Sequence, residues 1–285
     1  MDNLKKRKLK NRMFHILVTA STLFGIVVLV VLLFDILKQG LGWLSADFFT
    51  NFASRFPHKA GIKAPLFGSL YTIMLTALFA FPVGVGSAIY LEEYAPKSWI
   101  TNIIQINISN LAGVPSIVFG ILGLGIFVNV LGFGRSILSG ALTLALLILP
   151  VIIVSAQEAL KSVPKELKHG AYALGATKWQ TITGVVLPYS LPGILTGTIL
   201  AIARALGETA PLIMVGAVAF AAFTPKNIFD SFTVLPMQIY SWTSRPKAEF
   251  HSLAAAGIIV LLVVLLVTNA IAIILRNKYQ NRMRG

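Results

Sequence analysis

Two ionisable side chains, Arg204 and Glu208, stand inside a long apolar run from Tyr189 to Ala222. Four residues apart, they share one face of a helix. A guanidinium offers a planar fork of donors that fits the oxygens of a tetrahedral oxyanion. A neighbouring carboxylate weakens that grip, which suits passage of an anion better than storage. An Arg at the centre of a bilayer costs ~2.5 kcal/mol or more, so it must face protein or a water-filled path. Two readings stand side by side: Glu208 neutralises Arg204 in a structural pair, or both line a translocation path or its gate. Ser116 follows Pro115, which frees a backbone carbonyl. Its hydroxyl either lines a path or bonds the helix backbone.

Other chemistries lack their residues. His15, His58, His169 and His251 are scattered, with no metal-ligand spacing. The chain has no cysteine, so thiolate sites and disulfides are excluded. Gly170 to Lys178 has the glycine spacing of a phosphate-binding P-loop, but Ala176 and Thr177 stand where Lys and Ser/Thr must follow Gly175. Gly84/Gly86 and Gly123/Gly125 lie in apolar runs, where small residues let helices approach closely. The expectation is a non-catalytic chain that holds no cofactor or metal of its own.

A polar stretch, Gln157 to Pro188, reads as helix, glycine turn, helix. Pro164 suits a first helical turn, where a missing N–H costs nothing. Lys165 to Leu174 then forms a helix that Gly175 stops as a left-handed cap. Thr177 caps a second helix that starts at Lys178-Trp179. Leu187-Pro188 is expected to end the segment before a new span. One reading is an amphipathic hairpin lying on lipid headgroups, drawn there by its lysines. The other is a docking element. Small Gly170, Ala171 and Ala173 permit close approach, while Tyr172 and Trp179 can anchor in pockets.

The elements around these residues follow from hydropathy. The chain has 285 residues, 56% of them hydrophobic and only 12% charged, with a net charge of +14. A soluble domain carries roughly 25% charged residues, so a water-soluble enzyme is excluded, and so is disorder. In an apolar chain the basic excess points to a bilayer with basic cytoplasmic loops rather than to nucleic acid. Six spans of about 20 apolar residues are expected: Met13–Phe34, Leu66–Leu91, Ile103–Leu131 with an irregularity at Gly113-Val114-Pro115, Ser136–Ala156, Tyr189–Ala222 and Leu253–Leu275. That arrangement places Arg204 and Glu208 near mid-bilayer. Residues 1–12 and 276–285 are short basic tails flanking one membrane domain, 13–275, with its loop at 157–188. Of the 24 basic residues, fifteen fall on the side of both termini and eight on the other, which puts the termini in the cytoplasm.

Ala171 to Gln180, followed by Val185-Val186-Leu187-Pro188, resembles the EAA loop of binding-protein-dependent ABC importer permeases. Aligning that loop's Gly on Gly175 puts its Leu-Pro on Leu187-Pro188. The family's Glu falls on His169, with Glu166 one turn earlier, its first Ala on Gly170 and its Ile on Val185. Ala203 to Leu212, Tyr90 to Pro96 and Gly113 to Gly120 are similar to segments of phosphate-importer permeases. Thr209-Ala210-Pro211 favours the PstA type over the sister PstC type, and sulfate or molybdate permeases are the next alternative. The resemblance implies an all-α membrane protein of type I ABC importer permease architecture, in a bacterial plasma (inner) membrane. It implies that 157–188 carries a coupling helix that docks on a separate ATPase through Gly170, Ala171, Tyr172, Ala173, Leu174, Gly175, Ala176 and Trp179, that Arg204 and Glu208 serve phosphate passage, and that ATP and Mg belong to a partner. The implied partners are a PstC-like second permease, two PstB-like ATPase subunits, a PstS-like phosphate-binding protein, and lipid. A stand-alone gradient-driven transporter is the reading from another class; the loop and the single Arg–Glu pair speak against it.

Overall fold

The computed structural model describes residues 2–217 and 220–282. Among the described residues every regular element is helical. In chain order these are α1 (Asp2–Gly40), α2 (Ala46–Thr50), α3 (Lys63–Ile89), α4 (Trp99–Leu111), α5 (Ser116–Gly123), α6 (Ile137–Lys161), α7 (Lys165–Ala173), α8 (Lys178–Thr181), α9 (Leu187–Gly207), α10 (Ala210–Val215), α11 (Leu235–Thr243) and α12 (Ala248–Arg282). Wide π-type turns extend α3 over Tyr90–Tyr94 and α5 over Leu124–Val130, and join α8 to α9 over Ile182–Val186.

Five continuous helices are long and apolar enough to cross a bilayer, and a bent pair supplies a sixth. That pair, Trp99–Leu111 with Ser116–Val130, turns through 106°. The irregularity expected at Gly113-Val114-Pro115 is therefore a corner, since Pro115 lacks the N–H that would carry the helix on. α4 buries no residue against the rest of the chain.

α6 is the hub, with 72% of its apolar span buried. It packs against α3 and α9 in a core that includes Ile73, Ala80, Ile148, Ile152 and Ile194. In lipid the hydrophobic effect does not hold helices together, so close packing and polar contacts must. Gly84 lies so near α6 that an added Cβ would meet Ile152 Cγ2 at 2.6 Å. Gly193 faces Ala159, and Gly197 faces Ser155 closely enough that even an alanine would collide. The buried Thr76 hydroxyl donates to Thr72 O at 2.8 Å and reaches Ala141 O on α6 at 3.2 Å. A second core, around Trp242, Phe250 and Leu253, closes the end where α3 and α12 begin.

The basic tails continue the first and last helices, and the fifth span differs from expectation. α1 is helical from Asp2 and α12 continues to Arg282, so the basic termini are helix ends; Met1 and 283–285 lie outside the described residues. Leu187-Pro188 does not end the polar segment. The helix is unbroken over Lys178–Gly207, 30 residues. The π-type turn at Ile182–Val186 shifts the hydrogen-bond register just ahead of Pro188, which then sits in the first turn of α9. At its other end this span stops at Gly207, well short of Ala222. Pro211 cannot bond back to Gly207 O, and the chain becomes extended at Glu208 (φ −74°, ψ 130°) before α10 begins. Of the run expected to continue the span, 218 and 219 lie outside the described residues.

Candidate functional site

Arg204 and Glu208 occupy the break between α9 and α10. Arg204 lies in the last turn of α9 and Glu208 is its C-cap. Arg204 Nε lies 3.5 Å from Glu208 Oε1, a long contact at the limit of a hydrogen bond. The contacts of Gly193 with Ala159 and of Gly197 with Ser155 set an antiparallel register between α9 and α6. Continued along α9, it brings Arg204 level with Ile148, half-way along α6. Ala205 and Leu206 line a small cavity with Leu144 and Thr72, which agrees with that depth. The charges therefore stand level with the middle of α6 and mark where a helix breaks, rather than the middle of an unbroken one.

Ala205 and Leu206 point inward and are buried, whereas 47% of the Arg204 side chain is exposed and 17% of Glu208. The guanidinium thus lies on an outer face of this chain. Lipid there would impose the cost of a buried cation, so the face needs a protein partner or water. Ser116 is the first residue of α5.

The second group of expected residues lies on the loop at the opposite end of the α8–α9 helix. Gly170, Ala171, Tyr172 and Ala173 are on α7, and Leu174, Gly175 and Ala176 form the elbow. Gly175 has φ +80°, and its N–H donates to Tyr172 O at 2.9 Å while Ala176 N–H donates to Ala171 O at 3.1 Å. This is a Schellman turn, the left-handed cap expected at Gly175. Thr177 Oγ1 accepts from Gln180 N at 3.3 Å and Gln180 Oε1 accepts from Thr177 N at 2.8 Å, a reciprocal capping box that starts α8. α7 starts at Lys165, with Pro164 just ahead of it as N-cap.

Local hydrogen bonds thus define the elbow, while its apolar side chains have no cover. Tyr172 is 44% exposed, Trp179 64% and Leu174 91%. His169 and Glu166 are exposed as well, and Glu166 makes no ion pair among the described residues. The loop and the charge pair are not brought together. Trp179 and Arg204 are twenty-five residues apart on one continuous helix, about 37 Å at 1.5 Å per residue.

Three residues without an assigned role from sequence emerge beside the loop. Lys168 of α7 pairs with Glu93 of the turn that ends α3, and this Glu93 side chain is only 9% exposed. Lys161 Nζ lies 4.0 Å from Glu92 and 3.0 Å from Glu158. Lys178 Nζ stands 4.7 Å above the Tyr94 ring. The signal was present as Tyr90 to Pro96, but its partners are 69 to 84 residues away and spacing could not reveal them.

Residues 80–284 match the family described as binding-protein-dependent transport system inner membrane component. The chain belongs to this family. Over 273 residues the permease is 36% identical to the probable ABC transporter permease protein YqgI of Bacillus subtilis (strain 168), a match covering 89% of this chain and 92% of that one. It is 34% identical over 268 residues to the phosphate transport system permease protein PstA of Yersinia pestis, covering 93% and 90%. Among solved structures it resembles a chain of a bacterial ABC transporter involved in import of the acidic polysaccharide alginate. The TM-score there is 0.66 at 18% identity, over 95% of this chain and 99% of that one. The permease therefore has the fold of an ABC importer membrane subunit.

Proposed function

We propose that this chain is the PstA-type membrane subunit of an ATP-driven importer that brings inorganic phosphate into the cell by alternating access. The observation that carries the reading is the Arg204–Glu208 pair, placed at mid-depth on an uncovered face where α9 breaks, at the far end of the helix that starts at the exposed loop. A sister permease of the PstC type covers that face, and the path runs between the two chains. The Arg204 fork meets phosphate oxygens, while Glu208 keeps the site from becoming a trap. Relatives named for phosphate transport support the choice of anion.

The loop with Tyr172, Leu174 and Trp179 docks on a separate ATPase subunit, which alone binds ATP and Mg and does the chemistry. Trp179 begins a rigid lever, because α8 runs into α9 without interruption. Movement at the loop reaches the break at Glu208, where the extended backbone lets the lever end shift relative to α10. The basic-residue count supports a cytoplasmic loop and termini and an outer 223–252 loop, the side on which a PstS-like phosphate-binding protein delivers its load.

The test is phosphate uptake by reconstituted complexes of the permease with its sister and ATPase, comparing the parent with Arg204→Gln and Glu208→Gln. Both variants should assemble and hydrolyse ATP, with uptake reduced at least about tenfold, the effect of losing one charge-assisted contact. Full uptake by both variants removes the site assignment and leaves the coupling assignment standing. Uptake of sulfate or molybdate in place of phosphate changes the substrate. Gradient-driven uptake without the ATPase overturns the class.

A further inference from the structure

Glu92, Glu93 and Tyr94 are successive residues that reach three different segments of the chain. Glu92 faces Lys161, at the end of α6. Glu93 pairs with Lys168, in the middle of α7. Tyr94 lies beneath Lys178, the first residue of α8. These three segments are the entry, the body and the exit of the loop that carries the exposed apolar side chains. The π-type turn at Tyr90–Tyr94 sets the fan: Leu91 is buried in the core while the next three residues project toward the loop. Ala95 N–H closes the turn on Tyr90 O at 2.8 Å. Of the three contacts, Glu93 with Lys168 is the most shielded, with 9% and 22% of the two side chains exposed, so solvent and salt weaken it least.

We propose that Glu92, Glu93 and Tyr94 form a clasp that fastens the coupling loop to the end of α3, so that loop and α3 move as one body when the docked ATPase moves. α3 packs along α6, and Ser69 and Thr72 of α3 line the cavity shared with Ala205 and Leu206, next to Arg204. The clasp therefore opens a second mechanical route to the charge pair, parallel to the α8–α9 lever. The three are positioning residues and touch no transported anion. The functional consequence rests on the transport reading above.

The absence of native cysteine makes a direct test possible. In the assembled complex with sister permease and ATPase, Glu93→Lys sets two like charges against each other. Phosphate moved per ATP hydrolysed should fall about tenfold, and Glu93→Lys with Lys168→Glu should restore it to within about twofold, as expected for residues coupled by contact. Glu93→Cys with Lys168→Cys should be similarly uncoupled until a short bifunctional maleimide bridges the two thiols, which should restore coupling. Failure of the charge swap to rescue an assembled complex overturns the clasp, as does a bridged chain that remains uncoupled. Glu93→Gln gives the milder variant if the reversal prevents assembly. Should the parent hydrolyse ATP yet move no phosphate, the transport reading fails by itself. The clasp is then read from ATP hydrolysis of the same assembled variants, where rescue by the swap supports it and an unaltered rate in Glu93→Lys refutes it.

Discussion

Replacing Gly175 isolates the elbow between α7 and α8, proposed above to dock on the ATPase, from everything around it. Its φ of +80° lies in the left-handed region, and a Cβ added there would meet no heavy atom within 4 Å. Substitution therefore adds no clash, and the penalty is purely conformational. For an ordinary L-residue that penalty is ~1–2 kcal/mol, less for Asn and more for a β-branched side chain. At about 1.4 kcal/mol per factor of ten, the elbow loses roughly five- to thirty-fold of its native population in Gly175→Ala. Gly175→Val should lose more and Gly175→Asn less. The assay is the affinity of the purified permease for its ATPase, paired with hydrogen exchange at Gly175 and Ala176, whose N–H groups close the turn. Gly170→Ala is the control: Gly170 is helical, has no positive φ and an open Cβ position, so alanine should keep or strengthen α7. Equal affinities for Gly175→Asn, Gly175→Ala and Gly175→Val would refute the reasoning, because the docking surface would then tolerate loss of the elbow. A loss in Gly170→Ala as large as in Gly175→Ala would shift the explanation to steric closeness of the partner.

Trp179→Ala and Tyr172→Ala should each weaken ATPase association by ~2 kcal/mol, the cost of losing an interface anchor, and leave the melting temperature of the isolated permease unchanged. A fall in melting temperature would mean that these side chains support the fold. Gly197→Val should destabilise the α6–α9 contact by ~1–3 kcal/mol, because Ser155 occupies the space and the helices must separate; thermal unfolding in detergent measures it. Ser69→Ala removes the acceptor for the buried Leu235 N–H, a 2.8 Å bond, and should cost ~1–3 kcal/mol by the same measurement. Asp230 accepts from the N–H groups of Lys226 and Asn227 at 2.8 and 2.9 Å, and the first of these bonds does most to hold its carboxyl below the usual range. Because the folded carboxyl binds its proton less readily than the unfolded one, its support for the 226–230 turn is present at neutral pH. That support fades as the pH falls below about 4. Hydrogen exchange at Lys226 and Asn227 should show that acid loss in the parent and none in Asp230→Ala.

Composition and periodicity alone determined that this chain lives in a bilayer, how many times it can cross, and where its loop bends. Those outcomes rest on local forces. About twenty uncharged residues must be helical in lipid, because no water is there to satisfy a bare backbone. Gly175 and Thr177 act through bonds within a few residues of themselves, so the left-handed cap and the start of α8 were legible before any packing was known, and the structure adds Gln180 as the reciprocal partner of Thr177. The same locality explains the failures. Leu187-Pro188 reads as a stop, yet the π-type turn over Ile182–Val186 just ahead of it leaves Pro188 in the first turn of α9. Likewise, an apolar run through Ala222 reads as one span, whereas Gly207 and Pro211 break it against α5 and α6. Tertiary structure decided that Arg204 faces outward, level with the middle of α6, while its neighbours Ala205 and Leu206 point inward, since only the register against α6 gives a helix residue both a level and a side. It also brought Glu93 to Lys168 across seventy-five positions, a pairing that charge and spacing could not reveal because the chain must fold back through α4, α5 and α6 before the two meet.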